Sequence, residues 1–298
     1  MTNSCTPAVI CNPSLVDDAV QLRKEISTRC AAAHAAEPLW FETTPDDPGA
    51  GQVREALDAG ADLVLVCGGD GTVAACAGTL AQTNAAMALV PVGTGNLLAR
   101  NIGVPLDIAP ALDVAFGTGR RHLDVLEAGG RRFVVMAGLG FDAALIRDTD
   151  DTAKAKAGWA AYLAGLVRAV RRTPRVRFTI ALDGAAAIER RALGVLVGNV
   201  GQVQGGLRML PDAQPDDGIL DVGVLTIRTW RDWPVLLLRI LRGRPDTGRQ
   251  AEIFRGRQVE IRVDRPVPTE YDGEYAGEAD EMTVRVLAGA LVMCTPPS

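Results

Sequence analysis

A chain of 298 residues is long enough for two domains and can bury a large core without disulfide bonds or metal clusters. Its formal net charge of -5 argues against a nucleic-acid-binding protein with a broad positive surface. The six cysteines are scattered, include no Cys-x-x-Cys pair and have only two histidines to join them, which argues against a zinc site or a disulfide framework.

Four short apolar runs, each followed by turn residues and a helical pattern, occupy the first part of the chain. They lie at residues 8–11, 39–41, 62–67 and 87–90. Such repeated strand-loop-helix units predict a doubly wound, mostly parallel α/β sheet, whose ligands lie beyond the carboxyl ends of the strands. Candidate binding positions follow those ends at Asn12, Thr44, 68–72 and 93–96.

The pattern changes after about residue 122. Short alternating segments separated by turn residues predict a β-rich, mostly antiparallel second half. These segments lie at 123–128, 132–137, 175–182, 191–200, 218–225, 258–263 and 282–287, and helical patterns interrupt them at 152–172 and 229–242. We therefore predict domains at 1–122 and 123–298, with the extreme C-terminus as a candidate to return to the first domain.

The two glycine loops of the first half carry the chemistry. Gly68-Gly69-Asp70-Gly71-Thr72 follows a strand and opens a helix, and glycines at a helix N-terminus favour a phosphate group. The carboxylate of Asp70 would repel phosphate unless a divalent metal lies between them or Asp70 orients a reacting hydroxyl. Gly93-Thr94-Gly95-Asn96 has the same context, so both loops are expected to converge on one ligand. A purely structural glycine turn is the alternative for the first loop.

Six motifs follow one another along nearly the whole chain. They are Asn12-Pro13-Ser14, the two glycine loops, Gly140-Phe141-Asp142-Ala143, Pro211-Asp212-Ala213 with Asp216-Asp217-Gly218-Ile219-Leu220-Asp221, and Asp272-Gly273-Glu274. In this order they resemble the diacylglycerol kinase catalytic domain family, which includes bacterial diacylglycerol kinase-like enzymes and sphingosine kinases. The Gly-Gly-Asp-Gly core alone is shared with NAD kinases and phosphofructokinases.

The resemblance implies an ATP- and Mg²⁺-dependent lipid kinase with a cleft between a doubly wound nucleotide-binding domain and an antiparallel β-sandwich. It implies that Glu274 is the catalytic base, that Asp70 acts through Mg²⁺ or water, and that Asp124 belongs to a hydrogen-bond and metal network near the site. The implied ATP contacts are Asn12, Ser14, Thr44, Gly68, Gly69, Asp70, Gly71, Thr72, Gly93, Thr94, Gly95 and Asn96.

Residues 214–221 resemble the secondary Mg²⁺ site of the same family. The implied ligands are the Asp217 carboxylate and the main-chain carbonyls of Gln214 and Ile219, and such oxygen donors suit a hard cation. The alternative is an Asp-Asp-Gly turn before a strand. Two positions depart from the family pattern: Leu97 stands where many members have Asp, and the first loop lacks a glycine often found there.

A lipid kinase must reach its acceptor at a membrane surface. No apolar run reaches about 18 residues, and the N-terminus lacks a signal-peptide pattern, so we expect a cytoplasmic protein, peripheral at the inner membrane face. The segment 229–242 combines Trp230 and Trp233 with several arginines, which is typical of interfacial helices. A second candidate is 159–172. For both, the alternative is an ordinary packed helix with a solvated arginine face.

Two other functions stay open at this point. An NAD kinase-like phosphotransferase shares the glycine core, although the Asp217 loop and the Asp272-Gly273-Glu274 turn follow the lipid-kinase pattern. A catalytically silent lipid- or nucleotide-binding regulator is conceivable because of Leu97. The sequence does not identify the acceptor lipid, and the resemblance leaves a homodimer open.

Overall fold

The computed structural model describes residues 5–141, 143, 174–202, 208–227, 232, 238 and 250–297. Asp142 and the predicted helix at 152–172, with the candidate membrane segment 159–172 inside it, lie outside the described residues. The same holds for the predicted helix at 229–242, apart from Asp232 and Leu238.

The first half is a parallel sheet covered by helices on both faces, as predicted. Its strands are β1 (Pro7–Cys11), β2 (Leu39–Glu42), β3 (Leu63–Gly68) and β4 (Ala86–Pro91), in the spatial order β4-β3-β1-β2. The helices are α1 (Ala19–Ala32), α2 (Ala50–Asp58), α3 (Asp70–Leu80), α4 (Leu97–Ile102) and α5 (Ile108–Ala115), with a short 3-10 turn at Pro13–Leu15. β1, β3 and β4 are buried along their whole length, which explains their continuous apolar runs.

The second half consists of strands that pair antiparallel with one another. They are β5 (Arg120–Ala128), β6 (Arg131–Phe133), β7 (Met136–Gly140), β8 (Val176–Leu182), β9 (Ile188–Ala192), β10 (Gly194–Gly198), β11 (Leu220–Leu225), β12 (Ala251–Gly256), β13 (Gln258–Tyr271) and β14 (Glu274–Cys294). The predicted antiparallel character is therefore confirmed. The length of the β13–β14 hairpin exceeds the prediction, because glycines, prolines and charged residues interrupt its alternation.

β14 connects the two halves of the chain. It pairs antiparallel with β13 and β5, and near its end Val292 and Met293 pair in parallel with Ala86 and Met87 of β4. The two halves therefore share one continuous sheet. The domain boundary predicted near residue 122 falls within β5 and stays a prediction.

Packing between the halves fixes the place where they meet. One buried cluster contains Val64 and Val66 of β3, Leu80 of α3, and also Val135 and Leu196 from the second half. A second cluster fills the antiparallel half, and a third lies under α1 and α5. The shared cluster holds the parallel strands against the antiparallel half. The turn between β13 and β14 lies close to the carboxyl end of β3.

Candidate active site

The two glycine loops touch each other at the carboxyl ends of β3 and β4. A Cβ atom built on Gly93 would lie 2.6 Å from the Cα atom of Gly69, so a larger residue at position 93 would push the loops apart. Gly68 packs against the Thr72 side chain, which is 4% exposed. Thr94 is exposed in the second loop. The structure thus brings the sequence-predicted loops together.

Asp70 joins the two loops through a hydrogen bond. Its Oδ1 atom accepts the backbone N–H of Leu97 at 2.6 Å, at the start of α4. Asn96, the residue before α4, has a left-handed backbone with φ +49° and donates its Nδ2 to the carbonyl of Gly93 instead of capping the helix. Burial raises the pKa of Asp70, and the amides of Leu97 and Asn96 oppose that shift. The carboxylate therefore caps a helix that its own N-cap residue leaves uncapped.

The other predicted ATP contacts of the first half lie in turns at the ends of β1 and β2. Asn12 Oδ1 accepts hydrogen bonds from the Ser14 amide at 3.1 Å and the Ser14 hydroxyl at 2.7 Å. Thr44 Oγ1 accepts from the amide of Asp47 at 3.1 Å. Leu15, which the sequence interpretation did not select, lies beside Gly69 and is 40% exposed. The first loop therefore reaches the glycine loop through an apolar side chain.

Glu274 reaches the first glycine loop from the second half of the chain. It is the first residue of β14 and is exposed. Gly71 lies in the first turn of α3, and a Cβ atom on Gly71 would overlap Glu274 Oε1. The implied base and the implied phosphate loop are thus in direct contact, although 203 positions separate them in the sequence.

The turn that carries Glu274 is fixed by buried carboxylates. Asp272 accepts the backbone N–H groups of Val134, Val135 and Met136 at 3.0, 2.8 and 2.9 Å. Glu270 Oε2 accepts the N–H of Gly273 at 2.8 Å. Asp272 belongs to the Asp272-Gly273-Glu274 motif, and its place two residues before the implied base is the signal in the sequence that points to a role for it.

Asp124 accepts hydrogen bonds from two backbone N–H groups in the second half of the chain, and its implied place in a metal network stays a prediction. Its Oδ2 atom accepts the N–H of Gly218 at 2.6 Å, and its Oδ1 atom accepts the N–H of Gly289 at 2.7 Å. Burial raises its pKa against the effect of these amides. Asp124 therefore ties β5 to the loop before β11 and to Gly289 of β14, where the pairing of β14 with β5 is irregular, and the described contacts do not join it to Asp70 or Glu274.

The loop of the implied secondary Mg²⁺ site contains an arginine contact that the sequence did not indicate. Asp217 Oδ2 lies 2.5 Å from Arg255 Nη2, and Asp217 Oδ1 accepts the N–H of Ile219 at 3.0 Å. Arg255 Nε also lies 3.3 Å from Asp221 Oδ1, and burial raises the pKa of Asp221 to about 6. Within the described ranges, no group of three or more His, Cys, Asp or Glu side chains is placed to hold a metal ion.

In this arrangement the Asp217 carboxylate pairs with a guanidinium, and the Mg²⁺ site implied at Gln214, Asp217 and Ile219 stays a prediction. Both Asp217 oxygens accept N–H groups, and Arg255 already supplies positive charge between Asp217 and Asp221. No signal in the sequence pairs Arg255 with a residue 38 positions earlier.

In the part of the chain that the structure covers, no helix is long and apolar enough to cross a membrane.

Comparison with known proteins places this geometry in a family. Residues 8–128 match the family model of the diacylglycerol kinase catalytic domain, and residues 134–295 match that of the YegS C-terminal NAD kinase beta sandwich-like domain. A probable lipid kinase YegS-like protein from Chromohalobacter salexigens is 32% identical over 251 residues, which cover 82% of this chain and 79% of that protein. A protein of the same name from Pseudomonas syringae pv. tomato is 38% identical over 176 residues, only 57% of its length.

Solved structures show the same fold. A diacylglycerol kinase from Bacillus anthracis matches with a TM-score of 0.79 at 24% identity, covering 100% of this chain and 99% of that one. An NAD kinase from Archaeoglobus fulgidus in complex with ATP matches with a TM-score of 0.53 at 13% identity, covering 97% and 93%. These likenesses confirm the predicted fold class. From the two family models and the relatives, the chain belongs to the family of YegS-like lipid kinases with a diacylglycerol kinase catalytic domain.

Proposed function

We propose that this kinase transfers the γ-phosphoryl group of ATP to a hydroxyl of diacylglycerol or a related lipid. The contact between Glu274 and Gly71 is the observation that carries the proposal. It brings a carboxylate from the antiparallel half against the phosphate-type loop of the parallel half. A base beside such a loop suits a reaction in which a hydroxyl attacks a bound phosphoryl group.

The glycine loops are the proposed phosphate contacts. The first turn of α3 presents backbone N–H groups and the positive end of an 11-residue helix, which favour an anion. Asn12, Ser14, Thr44 and the loop 93–96 lie at neighbouring strand ends and complete the proposed ATP site. Positioning of this kind supplies most of the catalysis in phosphoryl transfer.

Glu274 is the proposed general base. Its carboxylate takes the proton of the lipid hydroxyl, the hydroxyl oxygen forms a bond to the γ-phosphorus, and the bond between that phosphorus and the ADP oxygen breaks with its electron pair on ADP. Because Glu274 is exposed and the adjoining Gly71 lacks a side chain, the acceptor has room to approach the carboxylate.

Asp70 is the proposed residue for the Mg²⁺ that accompanies ATP. When bound, the ion would neutralise phosphate charge during transfer. Carboxylate oxygens are ligands that Mg²⁺ prefers, and the bond to Leu97 holds Asp70 between the two glycine loops that are the proposed phosphate contacts. No role is assigned to an ion at Asp217. Asp124 stays a proposed support of the site through its glycine contacts.

Transfer of label from ATP to a panel of acceptors tests this function. The panel contains diacylglycerol, phosphatidylglycerol and a sphingoid base in mixed micelles, with NAD as a soluble acceptor. We expect a labelled lipid and no labelled NAD. Labelled NAD would favour the NAD kinase-like reaction, and ATP binding without transfer to any acceptor would indicate a silent regulator.

A location at the inner membrane face also stays a proposal.

A further inference from the structure

We propose that Asp272 positions the catalytic Glu274, by anchoring the turn between β13 and β14 so that the Glu274 carboxylate stays against Gly71. The inference rests on the proposed role of Glu274 as the base. It assigns to Asp272 no contact with ATP or with the acceptor.

The anchor consists of four hydrogen bonds to three consecutive residues. Asp272 Oδ1 accepts the N–H groups of Val135 and Met136, and Oδ2 accepts that of Val134. The backbone N–H of Asp272 in turn donates to the carbonyl of Met136 at 2.8 Å. Because charge-assisted bonds to buried amides are strong, the turn and the segment 134–136 form one rigid unit.

The turn leaves Glu274 little freedom of its own. Asp272 and Gly273 both have positive φ, at +48° and +86°. Gly273 donates to Glu270, whose side chain is fully buried, and Glu274 pairs across the hairpin with Tyr271. The position of the Glu274 backbone therefore follows the position of Asp272.

The segment that holds Asp272 is itself attached to α3. Arg132 Nη1 donates to the carbonyls of Gly78 and Ala81 at the C-terminal end of that helix, at 3.2 and 3.3 Å. The same helix begins at the glycine loop and carries Gly71 in its first turn. A closed path therefore runs from Gly71 along α3, through Arg132 and the segment 134–136, to Asp272 and Glu274.

The ionised form of Asp272 is the one that makes this anchor. A protonated oxygen would turn an O–H group toward backbone N–H groups that need an acceptor. Burial raises the pKa of Asp272 to about 6, with the amide bonds acting against the shift and Asp70 adding to it. The charged groups on the surrounding elements are Asp70 on α3, Arg131 and Arg132 on β6, and Glu270 and Glu274 on the hairpin itself.

Asp183 offers a matched control at the other end of β13. Its Oδ1 atom accepts the N–H groups of Arg257 and Gln258, both at 2.8 Å, and its own φ is +50°. It therefore makes the same kind of contact as Asp272, a carboxylate holding consecutive backbone amides. This contact lies at the start of β13 and Glu274 follows its end, so the 14 residues of the strand separate them.

The experiment compares the full-length variants Asp272→Asn and Asp183→Asn with the wild type. Hydrogen exchange followed by mass spectrometry measures protection of the amides at 134–136, and label transfer from ATP to the micellar lipid panel gives kcat and the KM for ATP. We expect Asp272→Asn to lose protection at 134–136 and to lower kcat by a factor of about 100, with the KM for ATP changed less than about threefold. Asp183→Asn should change neither that protection nor kcat.

The pH profile separates positioning from stability. A folded-state pKa above the unfolded value means that protonation of Asp272 stabilises the fold, so its stability contribution is present below about pH 4 and is lost as pH rises through about 6. We expect wild-type kcat to fall as pH drops below about 6 without a matching loss of stability from this group. If Asp272→Asn does not fold, Asp272→Glu, which keeps the carboxylate, is compared with the wild type in the same exchange and transfer measurements.

Two results would overturn the inference. One is unchanged hydrogen exchange at 134–136 in Asp272→Asn, and the other is a kcat of Asp272→Asn that is no lower than the kcat of Asp183→Asn. If the wild type labels no acceptor, the proposed function fails. The exchange measurement needs no acceptor and still decides whether Asp272 anchors the turn.

Discussion

The Asp70 carboxylate accepts the backbone N–H of Leu97 at 2.6 Å and so links the two glycine loops of the site. This contact gives Asp70 a structural task in addition to the one proposed with Mg²⁺. A carboxylate among the amides proposed to bind phosphate has a structural reason to be there when one of its oxygens caps a neighbouring helix. The two tasks require different properties of the side chain, since capping needs an acceptor oxygen and metal binding needs charge.

Replacement of Asp70 separates these tasks. Asp70→Asn keeps an acceptor oxygen for Leu97, so we expect the free energy of unfolding to change by less than about 0.5 kcal/mol while label transfer falls by a factor of about 100 or more. Asp70→Ala also removes the acceptor oxygen, so it should lower the free energy of unfolding by about 1–2 kcal/mol in addition to slowing label transfer. Chemical denaturation and the transfer assay measure the two effects.

Asp18 supplies the control for capping alone. Its Oδ1 atom accepts the N–H of Gln21 at the start of α1, away from the glycine loops. Asp18→Ala should cost about 1 kcal/mol of stability and leave transfer unchanged. Equal stability of Asp70→Ala and Asp70→Asn would show that the bond to Leu97 does not cap α4.

The departure at Leu97 has a packing reason. The side chain is 5% exposed and belongs to the cluster shared by both halves of the chain. Leu97→Asp would place a carboxylate in that cluster, so we expect a loss of about 3 kcal/mol or more and no gain in activity. Thermal unfolding and label transfer check this, with Leu97→Met as the volume-conserving control. A stable Leu97→Asp variant with faster transfer would show that the site lacks a carboxylate there.

The sequence predicted the parallel half well, because β3 and β4 are buried on both faces and carry continuous apolar runs. It also identified the family, since the motifs lie in contiguous loops. The hairpin of β13 and β14 was predicted only in parts. Pro266, Pro268 and Gly277 interrupt the alternation there, and pairing with neighbouring strands, rather than local propensity, keeps the backbone extended.

The contacts that organise the site could not be read from the sequence. Asp272 bonds to amides 136–138 positions away, and Asp70 bonds to a backbone N–H whose donor can be any residue except proline. The loop at Asp217 has the motif of a metal site, but its partner Arg255 lies in a strand with no distinguishing pattern. Such partners depend on chain topology rather than on local residue types.

Arg255 provides a test of the cation at the Asp217 loop. Its loss leaves Asp221, which is fully buried, without the facing guanidinium, so Arg255→Met should lower the free energy of unfolding by about 2 kcal/mol. Because the guanidinium already balances these acids, millimolar Mg²⁺ without ATP should not raise the wild-type unfolding temperature, whereas it should raise that of the variant.

Arg262→Met is the matched control for this substitution. Arg262 pairs with Glu281 at 4.0 Å, and both side chains are more than 70% exposed. Its replacement should cost less than about 1 kcal/mol and create no response to Mg²⁺. A rise in the wild-type unfolding temperature with Mg²⁺ would instead support the metal site that the family resemblance implies at Gln214, Asp217 and Ile219.

The transfer rate of Glu274→Gln tests the central claim most directly. The amide keeps the size of the side chain beside Gly71 but cannot take a proton, so kcat should fall by a factor of about 1,000 while the dissociation constant for ATP changes less than about threefold. Glu278→Gln, on the same strand, is the control and should transfer label at the wild-type rate. A near-normal kcat for Glu274→Gln would contradict the assignment of Glu274 as the base.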